Sequence, residues 1–374
     1  MPVRAIRSAI RAISDMMNDL PTGHHRYAVL AEGKFSPLKS KTANQVIRYA
    51  PDQVAAVIDS TQAGMVASQV LGFGGEIPVV PDVDTAMEFA PDTLLVGIAP
   101  AGGQLPPEWR GIVLHAIHLR LNIVSGLHTF LSEDPEFIQA AKMCQSTVTD
   151  LRKVPKDFEI VARGSWKNRR AKTILTVGTD CNVGKMTASL ELHREFVRRG
   201  LASEFVATGQ TGILLSGKGI AVDSLPGDYI AGAIEREIDL LTRPDVEYLH
   251  IEGQGSLTHQ GYSSVTLGLI HGVMPDAMVL VHHPARLKDD YGFSLTDVRP
   301  LIRLHESLLT CFKPSRIVAI AVNTVGMSRK DVETAKEQLN SSTGLPVGDV
   351  LTPDIQILAD ALLMYLRNIP SLAD

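Results

Sequence analysis

One stretch, ILTVGTDCNVGKMTASL from Ile174 to Leu190, constrains this chain more than any other. An apolar, β-rich run, Ile174–Val177, feeds a glycine-bearing turn, and Gly184-Lys185 opens a segment of helical character. Strand, phosphate-cradling turn and helix N-terminus are the grammar of a P-loop. Backbone N–H groups and the positive end of the helix dipole converge on one spot, and Lys185 adds a mobile charge, so phosphate is the natural occupant. The expected binding loop is Gly178, Thr179, Asp180, Cys181, Asn182, Val183, Gly184, Lys185, Met186 and Thr187. It departs from G-x-x-x-x-G-K-[ST] in two places. Gly178 comes one residue early, leaving Thr179 at the first-glycine position, and Met186 stands where the magnesium-binding hydroxyl belongs, with a hydroxyl only at Thr187. A thioether is a poor ligand for so hard an ion. The loop therefore predicts phosphate binding without requiring a magnesium–triphosphate site. An ordinary strand–turn–helix corner is the plain alternative.

Short apolar runs alternate with helix-like stretches on both sides of this loop. On the N-terminal side, strands are expected at Tyr27–Leu30, Val54–Ile58, Pro78–Val80, Leu94–Ile98 and Asn122–Ser125, and helices at Ala43–Tyr49, Thr85–Phe89 and Glu108–Arg120. Beyond the loop, strands are expected at Ser203–Ala207, Glu247–Ile251, Ala277–Val281, Ile317–Val322 and near Val347, and closing helices at Asp331–Asn340 and Asp354–Leu366. Repeated β-then-α units imply parallel sheets, whose ligands sit beyond the carboxyl ends of the strands. The fold expected is α/β: an N-terminal Rossmann-like parallel sheet and a C-terminal P-loop NTPase-like parallel sheet. The first strand is not followed by G-x-G-x-x-G, so a dinucleotide is not indicated.

The expected boundaries are a helix at 1–24, the Rossmann-like domain at 25–151, a linker at 152–172 and the P-loop domain at 173–374. Val3, Ile6, Ile10, Ile13, Met17 and Leu20 form one helical face, which suits packing on its own domain or a homo-oligomer contact. Residues 152–172 are basic and irregular, which reads as a solvated linker. Lys167, Arg169, Arg170 and Lys172 offer the alternative of a phosphate clamp.

Composition excludes more than it assigns. A formal charge of −5 argues against a general nucleic-acid partner. No apolar run approaches a membrane span, and the first 20 residues lack a continuous apolar signal core. Three widely spaced cysteines make neither a zinc spacing nor a disulfide framework, so a cytoplasmic location is the default and no metal site is expected.

The strand ends of the second half carry the remaining candidates. Glu252 closes the run Tyr248–Ile251, the usual place for a Walker-B-like acid or a general base. His259 is the other candidate catalytic residue, with Tyr262 beside it. Thr208–Gly212, TGQTG, and the pair Gly253-Gln254 bring glycine backbone and polar side chains to one end of the sheet. Gly209, Gln210, Thr211, Gly212, Asp223, Gly253 and Gln254 are thus candidate substrate contacts. Tight turns and helix caps are the plainer reading of each. Cys181 lies near a helix N-terminus, which favours a thiolate. An acyl-cysteine is one reading of it, and a small loop-filling residue the plainer one.

GTDCNVGKMTAS and IEGQGS resemble the phosphate loop and acidic strand end of dethiobiotin synthetase and the cobyric acid synthases, apart from Met186. Across nearly the whole chain, GTDCNVGKMT, TGQTG and IEGQGSL after a Rossmann-like half are similar to a family long described as a domain of unknown function, one branch of which is the DgcN-like D-glutamate N-acetyltransferases. That resemblance implies acetyl transfer from acetyl-CoA to the amino group of a small acidic amino acid, with the loop holding CoA phosphates, which makes Met186 tolerable. It also implies Glu252 or His259 as base, TGQTG backbone N–H groups as oxyanion donors, and Arg286 or Lys288 as carboxylate partners. Two other classes stay open: an ATP- and magnesium-dependent ligase or kinase of dethiobiotin synthetase type, and a non-catalytic nucleotide-binding regulator.

Overall fold

The computed structural model describes residues 25–100 and 102–369, so the helix expected at 3–20 and any contact it makes lie outside the described residues. Two compact units are present. One runs to Val154 and includes Ile213–Lys218; the other comprises Pro155–Gly212 and the chain from Gly219 onward.

In the first unit, six strands alternate with helices: β1 (Tyr27–Leu30), α1 (Lys41–Tyr49), β2 (Val54–Ile58), α2 (Ala67–Leu71), β3 (Val79–Val80), α3 (Val83–Met87), β4 (Thr93–Val96), α4 (Arg110–His118), β5 (Asn122–Ser125), α5 (Pro135–Cys144) and β6 (Val148–Asp150). The sheet order is β3-β2-β1-β4-β5-β6, with every pair parallel. This is the doubly wound order of a Rossmann sheet. Strands covered on both faces must be apolar throughout, and YAVL, VAAVI and TLLV are buried at every position. Trp109, Ile117, Ile123 and Phe137 pack with them into one core. Helix α5 and strand β6 were not legible in the sequence. The helix opens on Pro135 and is capped by Asp134, which accepts the N–H groups of Glu136 and Phe137. Its partner strand reads only VTD, too short and polar to announce itself.

The second unit repeats the plan: β7 (Lys172–Gly178), α6 (Lys185–Arg198), β8 (Ser203–Val206), α7 (Gln210–Ser216, of which Ile213–Ser216 belong to the first unit), α8 (Gly227–Leu241), β9 (Tyr248–Ile251), α9 (Ser263–Val273), β10 (Ala277–His282), α10 (Val298–Leu309), β11 (Arg316–Val322), α11 (Arg329–Thr343), β12 (Val347–Gly348) and α12 (Ile355–Arg367). Its sheet pairs are parallel, in the order β12-β11-β10-β7-β9-β8. β7 therefore lies between β10 and β9. The three carboxyl ends face one region, and the loop after β7 is at its centre. Among the described residues no helix is long and apolar enough to cross a membrane.

The stretch read as a solvated linker is fastened to the second unit, although Lys153, Lys156, Arg163, Lys167 and Arg170 are exposed. Phe158 is buried, and Glu235 of α8 accepts the backbone N–H groups of Arg163, Gly164 and Ser165 at 2.7, 2.8 and 3.1 Å. The Arg169 side chain is only 4% exposed and donates to the Val273 carbonyl at 2.9 Å, so it is not directed at a phosphate. The segment passes so close to α8 that a Cβ on Gly232 would lie 2.0 Å from the Ile160 carbonyl oxygen. Glu235→Ala strands three N–H groups at once and is expected to cost about 3 kcal/mol, read as a lower urea midpoint at unchanged m-value.

Candidate functional site

The loop after β7 is built by local chemistry. Gly184 takes φ +106°, open to glycine alone, and is the N-cap of α6; Asn182 sits at φ 57°. Gly178 is tight for a different reason: a Cβ there would lie 2.9 Å from both the Asp180 carbonyl oxygen and Lys185 Nζ. Lys185 is buried and its ammonium donates to the Asp180 carbonyl at 2.8 Å. Val183 and Met186 are buried as well, so Met186 fills space where a magnesium-binding hydroxyl would otherwise sit. Thr187, the next residue, is half-buried.

Asp180 is the electrostatic hub. Its side chain is 1% exposed, accepts the Cys181 N–H at 2.7 Å and pairs with Arg286 Nε at 2.6 Å. Arg286 also reaches Asp290 at 2.8 Å, and Asn182 donates to the same carboxylate at 3.3 Å. The sequence offered Arg286 as a partner for a substrate carboxylate; here its guanidinium is committed to Asp180 and Asp290. Arg286 begins a hairpin closed by Leu295 N–H to Leu287 O at 3.0 Å and Asp289 N–H to Phe293 O at 2.9 Å. Nothing in the apolar pattern marked this hairpin as part of the site. Its signal was Asp289-Asp290-Tyr291-Gly292, a turn whose Asp289 carboxylate accepts the N–H groups of Tyr291 and Phe293.

On the other side of β7, Glu252 is 3% exposed. Its carboxylate accepts Thr208 N–H at 3.0 Å and Gln254 Nε2 at 2.9 Å, while the Thr208 hydroxyl donates to the Glu252 carbonyl at 2.7 Å. A Cβ on Gly212 would fall 2.3 Å from Glu252 Oε2, and one on Gly209 would fall 2.5 Å from Gln254 Nε2. The acid is thus laid against Thr208–Gly212, and those glycines are there to let it in. Gln210–Gly212 form the first turn of α7 rather than a free loop, with Gln210 and Thr211 buried. Gly253 N–H donates to Thr176 Oγ1 at 3.0 Å, tying this strand end to β7. Asp223 lies in a 3-10 turn at Val222–Ser224, where the Val222 N–H donates to the Thr208 carbonyl at 3.1 Å.

His259 is where the two sides meet. It is 2% exposed and lines a cavity of about 270 Å³ with Thr179, Asp180, Thr258, Asp289 and Phe293. A ring nitrogen of His259, the Cys181 sulfur and an Asp180 carboxylate oxygen lie within 4.8 Å of one another. Tyr262 and Tyr291 pack on the imidazole at centroid distances of 4.8 and 5.5 Å. A hydrogen bond to Tyr291, followed by burial, holds the Tyr262 phenol above its usual pKa. At the end of β10, burial and then the neighbouring His283 push His282 down to about 4. It is neutral near pH 7, hydrogen-bonded through Nδ1 to the Thr179 hydroxyl at 3.0 Å. The arrangement offers two cations, a helix N-terminus, a thiol beside an imidazole, and a small polar cavity. Those are parts for holding an anion next to a nucleophile.

Comparison with known proteins agrees with this layout. Residues 60–154 match the domain of unknown function DUF1611_N, a Rossmann-like domain, and residues 160–359 match DUF1611_C, a P-loop domain. The chain is 38% identical over 277 residues to a protein of Tritonibacter scottomollicae called D-glutamate N-acetyltransferase, covering 72% of this chain and 80% of the relative. A protein of the same name from a Pseudoalteromonas species is 36% identical over 272 residues, 71% of this chain and 80% of the relative. A crystal structure of a DUF1611 family protein from Anabaena variabilis superposes with a TM-score of 0.86 at 34% identity, covering 91% of this chain and 99% of that one. On the match of both domains and of these relatives, the chain belongs to the DUF1611 family, with a Rossmann-like N-terminal and a P-loop C-terminal half.

Proposed function

We propose that this protein is an N-acetyltransferase that moves acetyl from acetyl-CoA to the amino group of an acidic amino acid, D-glutamate being the expected substrate. The observation that carries the reading is its 36–38% identity, over more than 70% of the chain, to two proteins called D-glutamate N-acetyltransferase. The site chemistry supports it. CoA brings phosphates, and the loop Gly178–Thr187 has the glycine turn, helix N-terminus and lysine that suit one. A buried methionine at position 186 removes the usual magnesium ligand, which CoA binding does not need. Acyl transfer requires a neutral amine and donors for the tetrahedral oxyanion, and Lys185 brings a charged hydrogen-bond donor to the same end of the sheet.

The test is turnover of acetyl-CoA with a panel of D- and L-amino acids, followed by thiol release. D-glutamate is expected to be acetylated without phosphate release. If no acidic amino acid accepts acetyl, the proposal fails. Release of phosphate or ADP from ATP, dependent on magnesium and a carboxylate substrate, would instead identify a ligase or kinase.

A further inference from the structure

Cys181 stands in the phosphate loop, half-buried, just ahead of the N-terminus of the fourteen-residue helix α6. Its sulfur is within 4.8 Å of a His259 ring nitrogen and an Asp180 carboxylate oxygen. His259 supplies an independent sign of function. It is 98% buried, yet Nε2 has no hydrogen-bond partner among the described residues. Gly261 N–H donates to Nδ1 at 3.2 Å, which leaves the ring proton on Nε2. An imidazole N–H with nothing to bond costs about 1–3 kcal/mol when buried. The imidazole that carries it belongs to a cluster whose other members are a thiol and a carboxylate. Asp180 is already neutralised by Arg286 at 2.6 Å, and Lys185 and the helix terminus add positive field around the sulfur.

We infer that Cys181 is an acyl-carrying nucleophile, with His259 Nε2–H as the hydrogen-bond donor that steadies its sulfur anion and the tetrahedral oxyanion. In the first half-reaction, Cys181 Sγ bonds to the acetyl carbonyl of a thioester, the donor's C–S bond breaks, and the proton of the Cys181 thiol goes to the departing thiol. In the second, the neutral amine bonds to the same carbonyl, the Cys181–acetyl bond breaks, and one amine proton returns to the Cys181 sulfur. No oxidant, metal or further reactant is needed. The inference rests on the acyl-transfer reading above, but not on what fills the phosphate nest. A CoA with its phosphates in that nest would reach Cys181 only with its pantetheine arm doubled back, because sulfur and nest share one loop. The probe is therefore a phosphate-free thioester, S-acetyl-N-acetylcysteamine, used beside acetyl-CoA.

Intact-mass and peptide measurements on the wild-type protein, mixed with either thioester and no amine, are expected to find one acetyl group on Cys181. D-glutamate should then discharge it, and initial rates should give parallel double-reciprocal lines. Cys181→Ala should lose the adduct and at least roughly 100-fold in kcat, while Cys144→Ala and Cys311→Ala keep both. Turnover by the wild type with no adduct after rapid quench overturns the inference and leaves the N-acetyltransferase reading standing. So does a Cys181→Ala enzyme within about twofold of wild type. Stoichiometric zinc in the purified protein, lost in Cys181→Ala, also overturns it, in favour of a metal site. An adduct on Cys181 that no acidic amino acid discharges keeps the nucleophile and sinks the proposed substrate.

Discussion

Gly253→Ala is expected to destabilise the C-terminal unit by more than about 4 kcal/mol, enough to prevent accumulation of folded protein. A Cβ at this position would lie 1.7 Å from the Thr176 carbonyl oxygen and 2.8 Å from its carbonyl carbon. Both are backbone atoms of β7, the strand that leads into the phosphate loop. A flexible side chain can step aside from such a clash; two adjacent central strands cannot. The same approach lets Gly253 N–H donate to Thr176 Oγ1, whose hydroxyl in turn reaches the Lys185 carbonyl at 3.2 Å. Thr176 thus fastens the strand end at Glu252, the loop and the start of α6 together. Gly253 was a candidate substrate contact in the sequence, and the structure gives it a packing role as well. Thermal unfolding of Gly253→Ala beside Gly227→Ala, whose Cβ meets nothing within 4 Å, checks the estimate. Equal melting temperatures would refute it.

Lys185→Met is expected to weaken CoA binding by roughly 10- to 100-fold while leaving the fold intact, since one charge-assisted hydrogen bond is worth about 1.5–3 kcal/mol. Methionine keeps the apolar stem, which is buried, and removes the ammonium. In the absence of an anion that ammonium donates to the Asp180 carbonyl at 2.8 Å, within its own loop. Turning from that carbonyl to a phosphate exchanges a neutral acceptor for a charged one, so the binding gain is differential rather than fixed. Titration of wild type and variant with CoA, dephospho-CoA and pantetheine separates the contributions. The loss should be large for CoA and absent for pantetheine, which carries no phosphate. Equal affinities of both proteins for CoA would remove the phosphates of CoA from this loop.

The two effects differ in how visible they are from sequence. The strand–turn–helix of the phosphate loop was legible because every determinant is local: a β-branched run, glycine where φ is positive, and a lysine at the helix start. The alternation of apolar runs likewise exposed most strands of both sheets. Helices α8, α9 and α10 were passed over. Glycines at 227, 232 and 268 dilute the pattern of α8 and α9, and two of these have tertiary causes: a Cβ on Gly232 would meet Ile160, and one on Gly268 would meet Ile230 at 2.6 Å. Most basic side chains of the linker, Lys167 and Arg170 among them, are exposed as their composition implies, but the sequence does not show that Glu235 holds its backbone or that the Val273 carbonyl takes the Arg169 guanidinium. Glu252 and His259 were singled out together from one stretch. Only the structure separates them, pairing the Glu252 carboxylate with the Thr208 N–H and Gln254 Nε2 and leaving His259 Nε2 without a hydrogen-bond partner among the described residues.

The sequence by itself determined that a phosphate-type loop follows a buried strand, that both halves are layered α/β, and that Met186 displaces the usual magnesium ligand. These depend on neighbours within a turn or two. What the tertiary structure decided is which distant residues share the loop's surroundings. Sheet order puts β10 on one side of β7 and β9 on the other. Arg286, beyond β10, therefore reaches Asp180, and His259, beyond β9, reaches Cys181. Hydrophobic periodicity specifies that a strand is buried but not which strand lies beside it, so no spacing in the chain encodes that meeting.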